Sequence, residues 1–211
     1  MTIGVIAAME LELENLLPAM EQVERETVSG ITFYKGKAFG KEIVAAVCGI
    51  GKVFAAMCAQ TMILRYQPDC IVNLGVAGSL LPDLHVFEIV AAEQLCQHDM
   101  DTSALGDPVG LVSGVNRGYF PADETMVHLL GQCAEELGFL HRTGTIASGD
   151  QFIHTSEKKQ WIRETFGAAA AEMEGASVGQ VCFVNQVPFA VLRTISDGEG
   201  GSMDYSTFAA Q

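Results

Sequence analysis

The sequence has few basic residues and no long apolar run. Its 211 residues include 12 Lys and Arg against 26 Asp and Glu, which gives a formal net charge of −14. Because nucleic-acid binding depends on Lys and Arg that neutralise phosphates, this balance argues against a nucleic-acid partner. No apolar stretch reaches the ~20 residues that span a bilayer, and residues 1–4 lack the basic segment that opens a secretion signal. The sequence therefore predicts a cytoplasmic protein with a small ligand and no membrane partner.

The cysteines and histidines lack the spacings that form disulfide frameworks or metal sites. The 6 cysteines lie far apart among apolar neighbours, with no Cys-x-x-Cys pair, which is typical of buried free thiols in a reducing compartment. The 5 histidines form no His-x-His or His-Glu-x-x-His motif, so no two of them are placed on one helix face as metal ligands. We therefore expect no metal.

Short β-rich apolar runs alternate with stretches of helical period along the chain, as in α/β proteins. The patterns predict strands at residues 2–7, 31–39, 42–48, 70–74, 88–92, 142–148, 168–173 and 188–196. They predict helices at residues 10–21, 52–66, 123–137, 156–166 and 175–185, with Asp123 and Ser156 as caps. Residues 97–121 combine glycines and prolines with little periodicity, which indicates a mobile or ligand-covering loop.

The chain shows no internal repeat, linker or low-complexity segment. Residues 1–211 are therefore predicted to form a single domain, with a C-terminal helix that is incomplete at Gln211.

Several acidic residues stand at predicted strand ends, where an apolar core should exclude them. Asp197 follows the last strand, at the position where an α/β sheet presents side chains to a crevice, although a turn cap explains it equally well. Glu174 precedes a helix, where ordinary capping also accounts for an acid. Arg193 lies inside a strand that should be dry, and a buried Arg requires an acidic partner. Glu174 and Glu12 are the candidates.

Two glycine-containing segments fail as nucleotide-binding motifs. Residues 49–52 read GIGK, but position 46 is Ala where a phosphate-binding loop requires the first glycine. Residues 75–78 read GVAG and do not complete the GxGxxG fingerprint. A dinucleotide enzyme is therefore disfavoured.

A series of ordered blocks resembles the purine nucleoside phosphorylase/hydrolase superfamily, and within it the 5′-methylthioadenosine/S-adenosylhomocysteine nucleosidase family. The blocks are IGVIAAMELE (3–12), GIGKV (49–53), NLGVAG (73–78), SGDQFI (148–153), EMEGA (172–176), VPF (187–189) and RTISD (193–197). The resemblance implies a three-layer αβα sandwich with a central mixed sheet. It also implies hydrolysis of the N-ribosidic bond of both thio-nucleosides, with release of adenine, no cofactor and a place in methionine salvage.

The resemblance further assigns roles to the matching residues. Asp197 would donate a proton to purine N7 with help from Ser196, and Glu12 would activate the attacking water. The implied substrate-binding residues are Glu174 and Met173 at the ribose, Phe152 and Ile153 at the base, Met9, Ile50 and Tyr205 at the 5′ group, and Arg193 and Val76. Many members of the family carry Ser where this chain has Val76.

The implied chemistry suits these acids. Adenine leaves poorly as an anion, so the transition state requires an acid at the base, a carboxylate near the sugar and an oriented water. We expect Asp197 to be protonated in a dry cleft and Glu12 to stay ionised beside Arg193, and this contrast assigns acid and base. Glu10 and Glu14 flank Glu12 without any Arg, so a phosphate nucleophile would be repelled and water is favoured.

The resemblance leaves other activities open. A futalosine hydrolase and a purine nucleoside phosphorylase belong to the same superfamily, and a nucleoside-binding protein without catalysis is a further alternative. A homodimer, in which a loop of the partner closes the pocket, is expected from family analogy alone.

Overall fold

Eleven strands form one mixed β-sheet in the computed structural model, which describes residues 1–198 and 201–202. The strands are β1 (Thr2–Ala7), β2 (Glu21–Val28), β3 (Ile31–Ala38), β4 (Lys41–Val47), β5 (Cys70–Ser79), β6 (Ile89–Gln97), β7 (Phe120–Pro121), β8 (His141–Ser148), β9 (Ala168–Glu172), β10 (Phe189–Gly198) and β11 (Gly201–Ser202). The helices are α1 (Leu16–Ala19), α2 (Lys52–Tyr66), α3 (Glu124–Glu136), α4 (Ser156–Phe166) and α5 (Gly175–Asn185). The predicted α/β class with a central mixed sheet is confirmed.

The strand order brings several carboxyl ends to one edge of the sheet. Strands β4, β1, β5 and β10 are parallel neighbours in that order, so their last residues meet where α/β proteins bind ligands. Strands β10, β6, β8, β9 and β5 pair in a closed ring. Gly78, near the end of β5, pairs with Ala171 of β9. Glu172, the residue after Ala171, therefore lies at the same edge of the sheet.

The longer helices lie close to their predicted bounds. Asp123 caps α3 as expected, since its Oδ1 accepts a hydrogen bond of 2.9 Å from the Met126 N–H. The cap of α4 is Thr155 rather than Ser156, because the Thr155 hydroxyl accepts the Lys158 N–H at 3.3 Å. No helix within the described residues is long and apolar enough to cross a bilayer.

The region after β1 differs from the prediction. In place of one helix over residues 10–21, the chain forms a 3₁₀ turn (Glu10–Leu13), the single turn of α1 and then β2. Pro18 explains the break, because it has no N–H for the bond that a continuous helix would make to residue 14. Strand β2 was not predicted, because most of its side chains are exposed and its sequence lacks the alternating apolar pattern of a half-buried strand.

The buried guanidinium of Arg193 joins strands β10, β9 and β5 beneath this edge. Its side chain is 1% exposed and forms an ion pair with Glu172, which is 2% exposed. Its Nε donates to Glu172 Oε2 at 3.1 Å, and its terminal nitrogens donate to the carbonyl oxygen and Oδ1 of Asn73 at 3.2 and 2.5 Å. The predicted partners, Glu174 and Glu12, are therefore wrong. Glu172 lies at the end of β9, where its carboxylate faces the guanidinium directly.

Replacing Arg193 by Met should lower the free energy of unfolding by about 3–5 kcal/mol, because Glu172 would keep a buried charge without its partner. Arg142→Met is the control. Arg142 pairs with Asp83 and Glu88, but its side chain is 31% exposed, so its loss should cost at most about 1 kcal/mol. Urea unfolding followed by circular dichroism measures both changes. A wild-type midpoint for Arg193→Met would contradict the structural role of the pair.

Candidate active site

A cavity of about 270 Å³ opens where β1, β5, β9 and β10 end. Its wall carries four carboxyl groups, those of Glu12, Glu172, Glu174 and Asp197. The rest of the wall is mostly apolar and includes the predicted site residues Met9, Ile50, Val76, Phe152 and Met173, with Ser196 next to Asp197. An apolar pocket with a few convergent polar groups is typical of a small-molecule site.

Two residues that the resemblance assigned to the site, Ile153 and Arg193, do not line this cavity. Ile153 lines a separate small cavity of about 30 Å³, which adjoins the main one at Phe152 and Asp197. Arg193 lies beneath the site, bound to Glu172, and is not part of the cavity wall. Tyr205 is outside the described residues. The structure therefore groups most of the predicted residues in one cavity wall, and Arg193 supports Glu172, an acid of that wall that was not among the predicted site residues.

Glu12 enters the cavity from the 3₁₀ turn that follows β1. Its Oε2 accepts hydrogen bonds from the backbone N–H groups of Ala8 at 2.8 Å and Met9 at 3.0 Å. Burial raises the pKa of Glu12 above its usual range, and this effect outweighs the Met9 hydrogen bond and the charge of Arg193, which both lower it. Arg193 thus favours the ionised form as expected but does not prevail over burial. A carboxylate with a raised pKa is a stronger base for accepting a proton from water.

Glu174 and Glu172 lie two residues apart in different environments. Glu174 precedes α5, and its Oε1 accepts the Gly51 N–H at 2.8 Å. Burial, together with the neighbouring charge of Glu172, raises the pKa of Glu174 to about 7. Glu172 accepts the N–H groups of Glu174 at 3.0 Å and Gly175 at 2.7 Å, in addition to Arg193. Glu172 is therefore fully paired as an anion, whereas Glu174 can hold a proton near neutral pH.

Asp197 lies at the end of β10 and forms an ion pair that the sequence did not predict. Its Oδ2 accepts a hydrogen bond of 3.0 Å from Nζ of Lys159 on α4. Its Oδ1 accepts the hydroxyl of Ser196 at 3.3 Å, in agreement with the supporting position expected for Ser196. The Asp197 side chain is largely shielded from solvent, as expected for a dry cleft, but the ammonium group of Lys159 faces it.

Two glycines of β5 make room for the carboxyl groups. A Cβ at Gly75 would lie 2.9 Å from Glu12 Oε1, and a Cβ at Gly78 would lie 3.0 Å from Asp197 Oδ1. Side chains at these positions would displace both carboxyl groups. The GVAG segment therefore serves close packing of acids against a strand rather than binding of a pyrophosphate.

Lys52, the first residue of α2, connects the loops that follow β6 and β8, and the second of these contributes Phe152 to the cavity wall. Its Nζ donates to Asp99 Oδ1 at 2.6 Å and its backbone N–H donates to Asp150 Oδ1 at 2.7 Å. Asp99 Oδ2 in turn accepts the Asp150 N–H at 2.9 Å. The network fixes Gly51, which binds Glu174, and the loop that carries Phe152. Sequence reasoning gave Asp99 no definite role, because exposed turn acids have the same local pattern.

Comparison with known proteins identifies the family of the chain. The sequence model of the phosphorylase superfamily matches residues 2–211. The chain is similar to the 5′-methylthioadenosine/S-adenosylhomocysteine nucleosidase of Bacillus thuringiensis, with 38% identity over 100% of this chain and 93% of that protein.

Solved structures show the same likeness. The nucleosidase of Neisseria meningitidis in complex with methylthio-immucillin-A has a TM-score of 0.93 and 34% identity, covering 99% of this chain and 94% of that one. A futalosine hydrolase of Helicobacter pylori has a TM-score of 0.89 and 38% identity, covering 93% of this chain and 84% of that one. From this match along its whole length, the chain belongs to the phosphorylase superfamily and, within it, to the family of 5′-methylthioadenosine/S-adenosylhomocysteine nucleosidases.

Proposed function

We propose that the protein hydrolyses the N-ribosidic bond of 5′-methylthioadenosine and S-adenosylhomocysteine and releases adenine. The observation that carries the proposal is the presence of Glu12 and Asp197 in one cavity, each held by different partners. Family membership supports the same activity, since the similar proteins from Bacillus and Neisseria are named as nucleosidases for these two substrates.

The proposed reaction uses the two acids in separate roles. Protonated Asp197 donates its proton to purine N7 as the bond between C1′ and N9 breaks, so adenine leaves as a neutral molecule. A water molecule attacks C1′, and the Glu12 carboxylate accepts a proton from it. The raised pKa of Glu12 suits this step, because a base works best when its pKa approaches the working pH. Glu174, which lines the same cavity, binds the ribose hydroxyls as acceptor or donor.

The apolar wall suits the two ends of the substrate. Phe152 is 69% exposed at the cavity, and its ring lies parallel to that of His154, with 9° between the planes, so its other face is available to a purine. Met9 and Ile50 line the wall beside it and offer thioether and aliphatic contacts to a 5′-alkylthio group.

A futalosine hydrolase is the second candidate function, because the chain is 38% identical to the Helicobacter protein of that name. A panel of substrates that differ only at the 5′ position separates the two.

Water is favoured over phosphate as the nucleophile. The ionised carboxyl groups of the wall repel an anion. In the part of the chain that the structure describes, the cations beside them are already bound, Arg193 to Glu172 and Lys159 to Asp197. A phosphorylase site instead surrounds its phosphate with cationic side chains that are free to bind it.

Purified protein should release adenine from 5′-methylthioadenosine at the same rate with and without phosphate. Asp197→Asn should lower the turnover number by about 10² to 10⁴ with binding largely retained, because it removes the proton donor. Absorbance and chromatographic detection of adenine measure both. A rate that requires phosphate would overturn the choice of nucleophile, and tight binding without adenine release would identify a non-catalytic nucleoside-binding protein.

Replacing Glu12 by Gln should lower kcat/KM by at least about 10², because the group that accepts the water proton is lost. In the wild type, kcat/KM should fall as the pH is lowered through the raised pKa of Glu12, so the loss begins above the ordinary value of 4.5. Glu10→Gln is the matched control, since Glu10 is an exposed acid in the same 3₁₀ turn. Wild-type rates for Glu12→Gln would assign the water to another base.

We further infer that the protein is a homodimer. Val53, Phe54 and Leu64 on α2 are 69%, 49% and 69% exposed, and exposed apolar stripes of this kind mark interaction surfaces. Ile50, which is 56% exposed, belongs both to this surface and to the cavity wall. A second copy placed on α2 would therefore cover the cavity entrance and complete the apolar pocket for the 5′ group.

Val53→Glu should convert the dimer into monomers, because it places a charge in the apolar interface. Leu137→Glu is the control, since Leu137 is 73% exposed at the end of α3. Light scattering after gel filtration should give twice the chain mass for the wild type and the control, and the single chain mass for Val53→Glu. A monomeric wild type would contradict the proposed dimer.

We also place the enzyme in the cytoplasm, in methionine salvage. All 6 cysteines are free thiols in the structure, and 4 of them are buried, which agrees with a reducing compartment. Release of adenine from methylthioadenosine leaves the sulfur-bearing sugar available for recycling.

A further inference from the structure

Lys159 faces the proposed general acid from a helix that carries no other site residue. It lies on the first turns of α4, and its Nζ is 3.0 Å from Asp197 Oδ2. The Lys159 and Asp197 side chains are only 11% and 14% exposed. An ion pair with so little solvent contact is screened much less than a surface pair. The contact therefore bears directly on the charge of Asp197.

The other groups that face Asp197 do not replace this cation. From β10, Ser196 donates its hydroxyl to Oδ1 at 3.3 Å. From β5, Gly78 brings only backbone to the carboxylate. The remaining charged groups of the cavity wall are the carboxyls of Glu12, Glu172 and Glu174, and Arg193 beneath it is bound to Glu172. Among the described residues, Lys159 is thus the cation that pairs with Asp197.

We propose that Lys159 is a positioning residue that holds Asp197 as an oriented carboxylate before substrate binds and thereby sets the alkaline limit of the hydrolysis. The proposal rests on the proposed function, in which Asp197 must be protonated before it can donate. The ammonium group favours the charged form of the acid. A smaller fraction of the enzyme therefore carries the required proton at a given alkaline pH.

The same contact assists the proton transfer itself. Asp197 takes a proton from solvent, and its O–H bond breaks as the N–H bond to purine N7 forms. The electron pair of the O–H bond remains on Asp197, which again becomes a carboxylate beside the Lys159 ammonium. Lys159 keeps its own protons throughout. Lys159 therefore stabilises the negative charge that develops on Asp197 during the transfer, which raises the rate. It also opposes the next protonation of Asp197 from solvent, which lowers the rate.

The test compares Lys159→Met with Lys159→Arg and Lys158→Met. Lys159→Met keeps the aliphatic stem and removes the charge, Lys159→Arg keeps the charge, and Lys158→Met removes a neighbouring charge that lies over the Trp161 ring at 3.9 Å. Lys159→Gln replaces the Met variant if the latter fails to fold. Two readouts are made on each variant: the pH profile of kcat/KM for methylthioadenosine, and the ¹³C NMR titration of the Asp197 carboxyl carbon, assigned with Asp197→Asn.

In Lys159→Met the alkaline limb of the pH profile of kcat/KM should move to higher pH by about one unit, as expected for loss of an adjacent opposite charge. The plateau value of kcat/KM should fall. The Asp197 carboxyl signal should titrate at correspondingly higher pH. Lys159→Arg and Lys158→Met should match the wild type in both readouts. An unchanged limb and an unchanged titration in Lys159→Met would overturn the proposal, as would a shift of the limb to lower pH, which would make Lys159 the proton source.

The proposed function can fail independently of the ion pair. A wild-type protein that releases no adenine refutes the nucleosidase, and with it the alkaline limit assigned to Lys159. The carboxyl titration then still decides whether Lys159 holds Asp197 as a carboxylate.

Discussion

The site is governed by an excess of buried carboxyl groups over cations. Glu12, Glu172, Glu174 and Asp197 share one largely apolar cavity, and the cations paired with them are Arg193 and Lys159. Since an unpaired charge in such surroundings is costly, the carboxyl groups without a direct ion pair are pushed towards the neutral form. Glu172 and Asp197 hold the cations, whereas the pKa values of Glu12 and Glu174 are raised by burial. Each acid thereby has a distinct electrostatic environment.

The fold enforces this arrangement through the sheet. Parallel pairing of β1, β5 and β10 and the closed ring that includes β9 place four strand ends around one cavity. Arg193 holds β9 and β10 together through Glu172, so the same ion pair that supports the core also supports the wall of the site. The missing Cβ atoms of Gly75 and Gly78 let the Glu12 and Asp197 carboxyl groups approach the β5 backbone. Stability and chemistry therefore depend on the same few contacts.

Much of this could be predicted from the sequence, for identifiable reasons. Apolar periodicity located α2, α5 and the buried strands, because their side chains face the core. Strand β2 was missed because its exposed side chains follow no such pattern. The acids Glu12, Glu174 and Asp197 stood out as polar residues at strand ends, and the structure brings all three into one cavity.

Pairing was harder to predict, because it depends on contacts between distant segments. Glu172 and Glu174 are two positions apart in the sequence. Glu172 contacts Arg193 because β9 pairs with β5 in the antiparallel direction, and this pairing leaves no mark in the local sequence. Lys159 resembles an ordinary solvent-facing residue of a polar helix, so its contact with Asp197, 38 residues further along the chain, left no local signal.

The most direct test of the charge imbalance is to observe a neutral carboxyl group in the protein without substrate. Protein labelled with ¹³C at the glutamate side-chain carboxyl is titrated by NMR, with Glu174→Gln to assign the signal. The account predicts that the Glu174 carboxyl is largely protonated at pH 6 and loses its proton as the pH rises through about 7. A Glu174 signal that is already fully ionised at pH 6 would contradict it.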